Sequence, residues 1–179
     1  SRRQRQMCIR DSSWYDPKGE EEAAKTLLNM NCDVIAQHCD TVYPQTLAQE
    51  KGVYSIGYNS DMSKEAPEAC LCSVIWNWSA YYTSAVQSVI DGTWDGSNYY
   101  GGMNENLVSI TPVADFAADT TQEKVNVAKQ QILSGKNGVF DGVIETNTGA
   151  TVGTAGKTLD DSVITGGINW YFKTVSVIE

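Results

Sequence analysis

Four short stretches carry the residues that could do chemistry. They are Ser13-Trp14-Tyr15-Asp16, Gln37-His38-Cys39-Asp40, Tyr58-Asn59-Ser60-Asp61 and Trp76-Asn77-Trp78. Flat rings stack on planar ligands, while amides and carboxylates satisfy a ligand's polar edges. The set suits a nucleobase or a similar heterocycle. It is poorly equipped for bond chemistry, because His38 is the only histidine and no Ser/His/Asp set has informative spacing. An enzyme would have only His38, Asp40 and Asp61 to work with. No cluster has metal-ligand spacing, and the sequence implies neither metal nor cofactor.

Each of these residues also has a plainer use. Asp16 precedes Pro17 and can cap a helix. Asp61 can cap the turn that follows it. His38 can be a hydrogen-bonded surface residue. Trp76 and Trp78 can pack a core or face a ligand, and residue type alone leaves that open.

The elements that must position these stretches alternate. A helix is expected over roughly 17–30, with an apolar face at Ala23, Ala24, Leu27 and Leu28 and acids near its start. Asp33–Gln37 reads as a short buried strand, 42–51 as a helix ending at Gly52, and Val53–Gly57 as a strand. Leu71–Trp76 is a third strand, and Ser79 is expected to cap a helix over 80–91. Such alternation predicts a parallel α/β layer with helices on both faces, whose strands are near-continuous apolar runs. In such sheets ligands bind outside the carboxyl ends of the strands, so the four stretches fall on one rim.

Beyond this layer, 93–106 reads as a long connection and Leu107–Ile110 as a further strand. Thr120-Thr121-Gln122-Glu123 is a capping box opening a helix to about 134. Val139–Ile144 reads as a strand, Thr146–Gly149 as a turn, and Trp170-Tyr171-Phe172 as a packing anchor. The segment Gly153–Thr158, "GTAGKT", mimics the end of a phosphate-binding loop. That pattern needs a glycine where Thr151 stands, so a glycine-rich turn is expected instead.

The chain has 13 basic and 22 acidic residues, a net charge of −9. This argues against nucleic-acid or anionic-membrane partners. All four arginines, Arg2, Arg3, Arg5 and Arg10, lie in the first ten residues. Residues 1–12 therefore read as a translated adapter or cloning scar, and their Cys8 is set aside. Cys32, Cys39, Cys70 and Cys72 match no zinc framework. Buried free thiols are the simple reading, and a Cys32–Cys70 or Cys39–Cys72 bridge is open in an oxidising compartment. No apolar run reaches membrane-spanning length.

Several segments together resemble one family. "SWYDPKGEEEAAKTLL", "CDVIAQHCDT", "EKGVYSIGYNSDMS" and "SVIWNWSAYYTSAVQSVIDGTW" look like the BMP, or PnrA-like, substrate-binding proteins of ABC transporters. The resemblance implies a type I periplasmic-binding fold, with two α/β lobes closing on ligand. It implies a fragment: the N-terminal lobe missing, 13–105 as the second lobe, and 106–179 as crossover and tail partly belonging to the first. By position, Trp14 matches the aromatic that stacks on the base, and Asn59 and Asp61 match the loop that hydrogen-bonds the ligand. Asn59 stands for a carboxylate there, and Trp76 for a lysine that reaches the sugar.

These departures point to a purine base, adenine first, over a nucleoside. The implied ligand-binding set is Trp14, Tyr15, His38, Asn59, Asp61, Trp76 and Trp78, with no catalytic residue. The implied partners are the ligand and a membrane permease, and the implied location is extracytoplasmic. The alternatives are a ligand-sensing module of the same fold in a regulator, or a nucleoside hydrolase.

Overall fold

The computed structural model describes residues 15–136 and 138–177. Helix α1 spans Pro17–Asn29 and begins as its sequence dictates. The Asp16 carboxylate accepts the Gly19 N–H at 3.0 Å, and Glu20 Oε1 accepts the Asp16 N–H at 3.0 Å. Two otherwise orphaned donors are thus satisfied reciprocally. Strand β1 (Val34–Ala36), helix α2 (Tyr43–Glu50) and strands β2 (Tyr54–Asn59) and β3 (Cys70–Trp76) follow. Helix α3 spans Trp78–Ile90 and strand β4 Val108–Ile110.

These four strands form one sheet in the order β1-β2-β3-β4. The first three run parallel, whereas β4 is antiparallel to β3. The expected parallel layer is therefore present, with one reversed edge strand that apolar periodicity cannot distinguish from a parallel one. The β2–β3 ladder slips once. Ser55 opposes Cys70, but Ile56 opposes Cys72, which leaves Leu71 as an extra residue. Beyond the slip, Gly57 faces Ser73, and a Cβ on Gly57 would sit 2.3 Å from Ser73 Oγ. Glycine is required there by close approach.

The core lies where α1 and α2 meet β1, the segment between β2 and β3, and the start of β3. Leu27, Ile35, Ala48, Met62, Ala66, Ala69 and Cys70 form one buried cluster, with Leu28, Cys32, Val42 and Val53 against it. Apolar burial of this kind is the main driving force for the fold. Helix α3, by contrast, has no buried residue. Its N-cap is Asn77 and Ser79 falls in its first turn, so the expected Ser79 cap is displaced by two residues. Ser79 Oγ instead donates to Asn77 Oδ1 at 2.6 Å.

The chain divides into two compact units, with Gln122 and Glu123 on either side of the division. Helix α4 (Thr121–Leu133) crosses it. The second unit also holds β5 (Ile144–Glu145), β6 (Thr151–Val152) and the short helix α5 (Asp161–Gly166). β5 and β6 form an antiparallel pair. The strand expected over Val139–Ile144 is mostly absent. A turn occupies its start, Asp141 makes one isolated antiparallel bridge to Thr158, Gly142 takes φ +74°, and the β5–β6 ladder begins at Ile144. That left-handed residue separates the Asp141 bridge from the β5 pairing, in a segment whose Val, Phe and Ile residues alone read as a strand.

"GTAGKT" forms a turn after β6, closed by the Lys157 N–H on the Thr154 carbonyl at 3.1 Å. In the expected anchor Trp170 is half-buried, but Tyr171 and Phe172 stay exposed, and Phe172 joins the unit through a backbone bridge to Thr146. Among the described residues no helix is long and apolar enough to cross a membrane.

Candidate functional site

Parallel pairing brings the carboxyl ends of β1, β2 and β3 to one edge of the sheet. The segments leaving that edge are Gln37–Asp40, Ser60–Asp61 and Asn77. Asn59 opposes Ile75, so Trp76 stands one step beyond it on the neighbouring strand.

At the β1 and β2 ends, the exposed His38 ring lies against Tyr58, with centroids 4.4 Å apart and planes tilted by 49°. Asn59 takes φ +70°. Asparagine is one of the few L-residues that tolerates this left-handed backbone. Its Nδ2 stands 3.5 Å from Asp40 Oδ1, at the outer limit of a hydrogen bond. Asp61 Oδ1 accepts the Ser63 N–H at 3.0 Å. That backbone bond, with a second from the Ser63 side chain, holds the Asp61 carboxyl below the ordinary aspartate range. Asp61 thus caps the turn after it while remaining an exposed carboxylate.

At the β3 end, Trp76 and Trp78 stack on each other, with centroids 5.4 Å apart and 22° between planes. An interposed ring would require about 7 Å, twice an ordinary carbon contact. A flat ligand therefore does not fit between the two indoles as they stand; it stacks on an outer face. Trp78 also stacks on Tyr82 at 5.9 Å. Tyr82 in turn contacts Tyr81, and Tyr81 stacks on Tyr99 at 4.5 Å. Among the described residues Trp76 has Trp78 as its one ring neighbour, but Trp76 is half-buried whereas Trp78 is exposed. Asn77 is pinned by its N–H on the Leu107 carbonyl at 2.7 Å.

The structure thus groups His38 and Asn59 with Tyr58 and Asp40, and groups Trp76 with Trp78. Tyr15, 68% exposed, precedes the cap of α1. Trp14 lies outside the described residues. Tyr58 was missed by sequence reasoning as a site residue in its own right; it is the last aromatic of the β2 run, beside the residues that were singled out. No disulfide joins Cys32, Cys39, Cys70 or Cys72, and of these thiols, expected to be buried, only Cys70 is; the other three are half-buried. Burial pushes the Cys72 thiol up and keeps it protonated at neutral pH. Among the described residues no group of three or more His, Cys, Asp or Glu side chains is placed to hold a metal ion.

The family profile Bmp, described as ABC transporter substrate-binding protein PnrA-like, matches residues 11–139. The chain belongs to this family. A purine-binding protein of Brucella abortus (strain 2308) is 34% identical over 164 residues, which cover 92% of this chain and 46% of that protein. A Haloferax volcanii protein, named for glucose binding in an ABC transporter, is 30% identical over 131 residues, 73% of this chain and 34% of its own length. The chain thus spans less than half the length of the curated relatives it matches.

Among solved structures, a transcriptional activator of the comK gene from Bacillus halodurans superposes with a TM-score of 0.61 at 20% identity. The match covers 70% of this chain and 45% of that one. A solute-binding protein of an ABC transporter system from Aeropyrum pernix K1 superposes with a TM-score of 0.57 at 16% identity, with the same coverage. These likenesses show the fold, an α/β substrate-binding-protein lobe with a mostly parallel sheet. The two curated relatives carry names for two different ligands, a purine and a sugar.

Proposed function

We propose that this Bmp chain supplies one wall of an interlobe cleft that captures a purine base or nucleoside, adenine first, outside the cytoplasmic membrane. The captured ligand is handed to a membrane permease. One observation carries this reading: the Trp76 indole stands on the same sheet edge as Asn59, one residue beyond its pairing level. A flat ring and an amide leaving one sheet edge suit the face and the edge of a heterocycle. Neither residue offers the cation or the carboxylate that a ribose clamp uses. Trp14, Tyr15, His38, Asp61 and Trp78 complete the proposed contact set. The purine-binding relative at 34% identity supports the same ligand class.

The mechanism is lobe closure. A ligand that bridges the cleft stabilises the closed arrangement relative to the open one and needs no covalent step. Base–aromatic stacking contributes roughly 1–3 kcal/mol per base, so Trp76→Ala is expected to weaken adenine binding by about fivefold to 150-fold. Calorimetry of the complete protein with adenine, adenosine and glucose tests the reading. Adenine should bind tightest; tighter adenosine would overturn the base preference, and binding of glucose alone would overturn the purine class.

A further inference from the structure

Beneath the rim lies a set of polar side chains that the ligand reading does not use. Glu20 is the first. Its Oε1 accepts the Asp16 N–H at 3.0 Å, and its Oε2 accepts the Thr41 N–H at 3.3 Å and the Thr41 hydroxyl. One carboxylate therefore ties the stretch that opens α1, next to Tyr15, to the loop that carries His38 and Asp40.

Gln37 is the second. Its Nε2 donates to the Cys39 carbonyl at 3.0 Å and the Thr41 carbonyl at 2.7 Å. Those two bonds use both amide protons. The Met62 sulfur lies 3.5 Å from the same nitrogen as a weak third contact. Gln45 orients this amide: its Nε2 donates to Gln37 Oε1 at 3.0 Å and to the Ile56 carbonyl at 3.1 Å. Met62 follows Asp61 directly, and its N–H donates to Ser73 Oγ on β3 at 3.1 Å. Gln37, Thr41, Gln45, Met62 and Ser73 are all buried.

We propose that Glu20, Gln37 and Gln45 are positioning residues: a lateral brace that fixes the rim loops at residues 15–16, 38–41 and 60–62 relative to one another before ligand arrives. The proposal rests on the ligand rim argued above. Its physical logic is that buried, hydrogen-bonded polar groups have few alternative arrangements, even with Gln45 Oε1 left without a partner, whereas the loop tips above them are exposed. Preorganised loops do not have to be ordered when ligand binds, which raises affinity without adding contacts.

Two substitutions in the complete protein test it. Glu20→Gln keeps shape but places an amide donor against either the Asp16 or the Thr41 N–H, so one tie is lost. Gln37→Leu keeps volume and leaves the Cys39 and Thr41 carbonyls without their donor. Leu47→Ala, a buried core change outside these contacts, controls for general destabilisation.

Amide hydrogen exchange is expected to accelerate at 39–41 and 60–62 in Gln37→Leu, and at Asp16 and Thr41 in Glu20→Gln. The amides of β1, β2 and β3 should stay protected. Adenine affinity is expected to fall about tenfold in both variants and to hold in Leu47→Ala. Unchanged loop exchange, or the same loop exchange and affinity loss in Leu47→Ala, would overturn the brace. If the unsubstituted protein binds no purine, the ligand reading fails while hydrogen exchange still decides the brace. If Gln37→Leu does not fold, Glu20→Gln decides it.

Discussion

Helices α1 and α3 are each 13 residues long and belong to the same unit, yet they are treated oppositely. α1 is rich in charge, with Glu20, Glu21, Glu22 and Lys25, and still buries Ala24 and Leu27. α3 carries Trp78, Tyr81, Tyr82, Val86, Val89 and Ile90 and buries none of them. The apolar residues of α1 fall on one side, so a single face serves the core. Those of α3 also recur at helical spacing on one side, but that face is not buried, and its rings are engaged with one another and with Trp76 at the end of β3. How apolar a helix is and how much it contributes to the core are thus separate properties here, and the second depends on what packs against the apolar face: α1 packs on α2, whereas α3 buries no residue.

Stability measurements can break this contrast. Leu27→Ala should cost about 2–5 kcal/mol, the usual range for emptying a buried leucine site. Ile90→Ala, at a position 72% exposed, should stay within about 0.5 kcal/mol. Urea unfolding of both variants checks the difference; equal losses would mean that α3 is as well covered in solution as α1.

The caps sharpen it on a smaller scale. Asp16→Ala removes the side-chain bond to Gly19 and should cost about 1 kcal/mol. Asn77 makes no side-chain capping bond to α3, so Asn77→Ala should cost only a few tenths of a kcal/mol. The same unfolding series reads both.

The smallest effect concerns Asp61. Its carboxyl titrates below the ordinary aspartate range because Ser63 donates to the charged form. A carboxyl with a lowered folded value contributes stability that is complete above its unfolded value. That contribution is lost as pH falls through the folded value. Carboxyl NMR should place the Asp61 midpoint below that of an unstructured aspartate, and Ser63→Pro, which removes the N–H, should move it back up. An unmoved midpoint would show that the turn is not held by this bond.

Much of the first unit was legible in the sequence because its signals are local. Asp16-Pro17 fixes the start of α1, and Val34, Ile35, Ile56, Val74 and Ile75 mark three strands. What was not legible depends on partners distant along the chain. The reversal of β4 follows from pairing, which composition does not encode. The shift of the α3 cap from Ser79 to Asn77 is a choice between two competent acceptors two residues apart. Val139–Ile144 has strand-like residues, but Gly142 interrupts them.

At the rim, the rings and amides were visible as residue types, whereas the stacking of Trp76 on Trp78 and of His38 against Tyr58 was not. The brace had a weak signal: a glutamine at the end of the apolar run Val34-Ile35-Ala36 and another inside α2. Polar residues so placed require buried partners, but only the fold shows which.

The slip between β2 and β3 has a consequence for anyone aligning or grafting this sheet. Side chains alternate along a strand, so one surplus residue inverts the parity of everything downstream. Past Leu71, Tyr58 pairs with Val74, and Trp76 takes the same parity. Without the surplus residue, Ile75 would inherit that side and the indole would turn away. Parity set at the amino end of β3 therefore decides what the carboxyl end displays. A chimera that moved Ser73–Ala80 onto a strand lacking this offset would carry the same letters and present the mirror side of them.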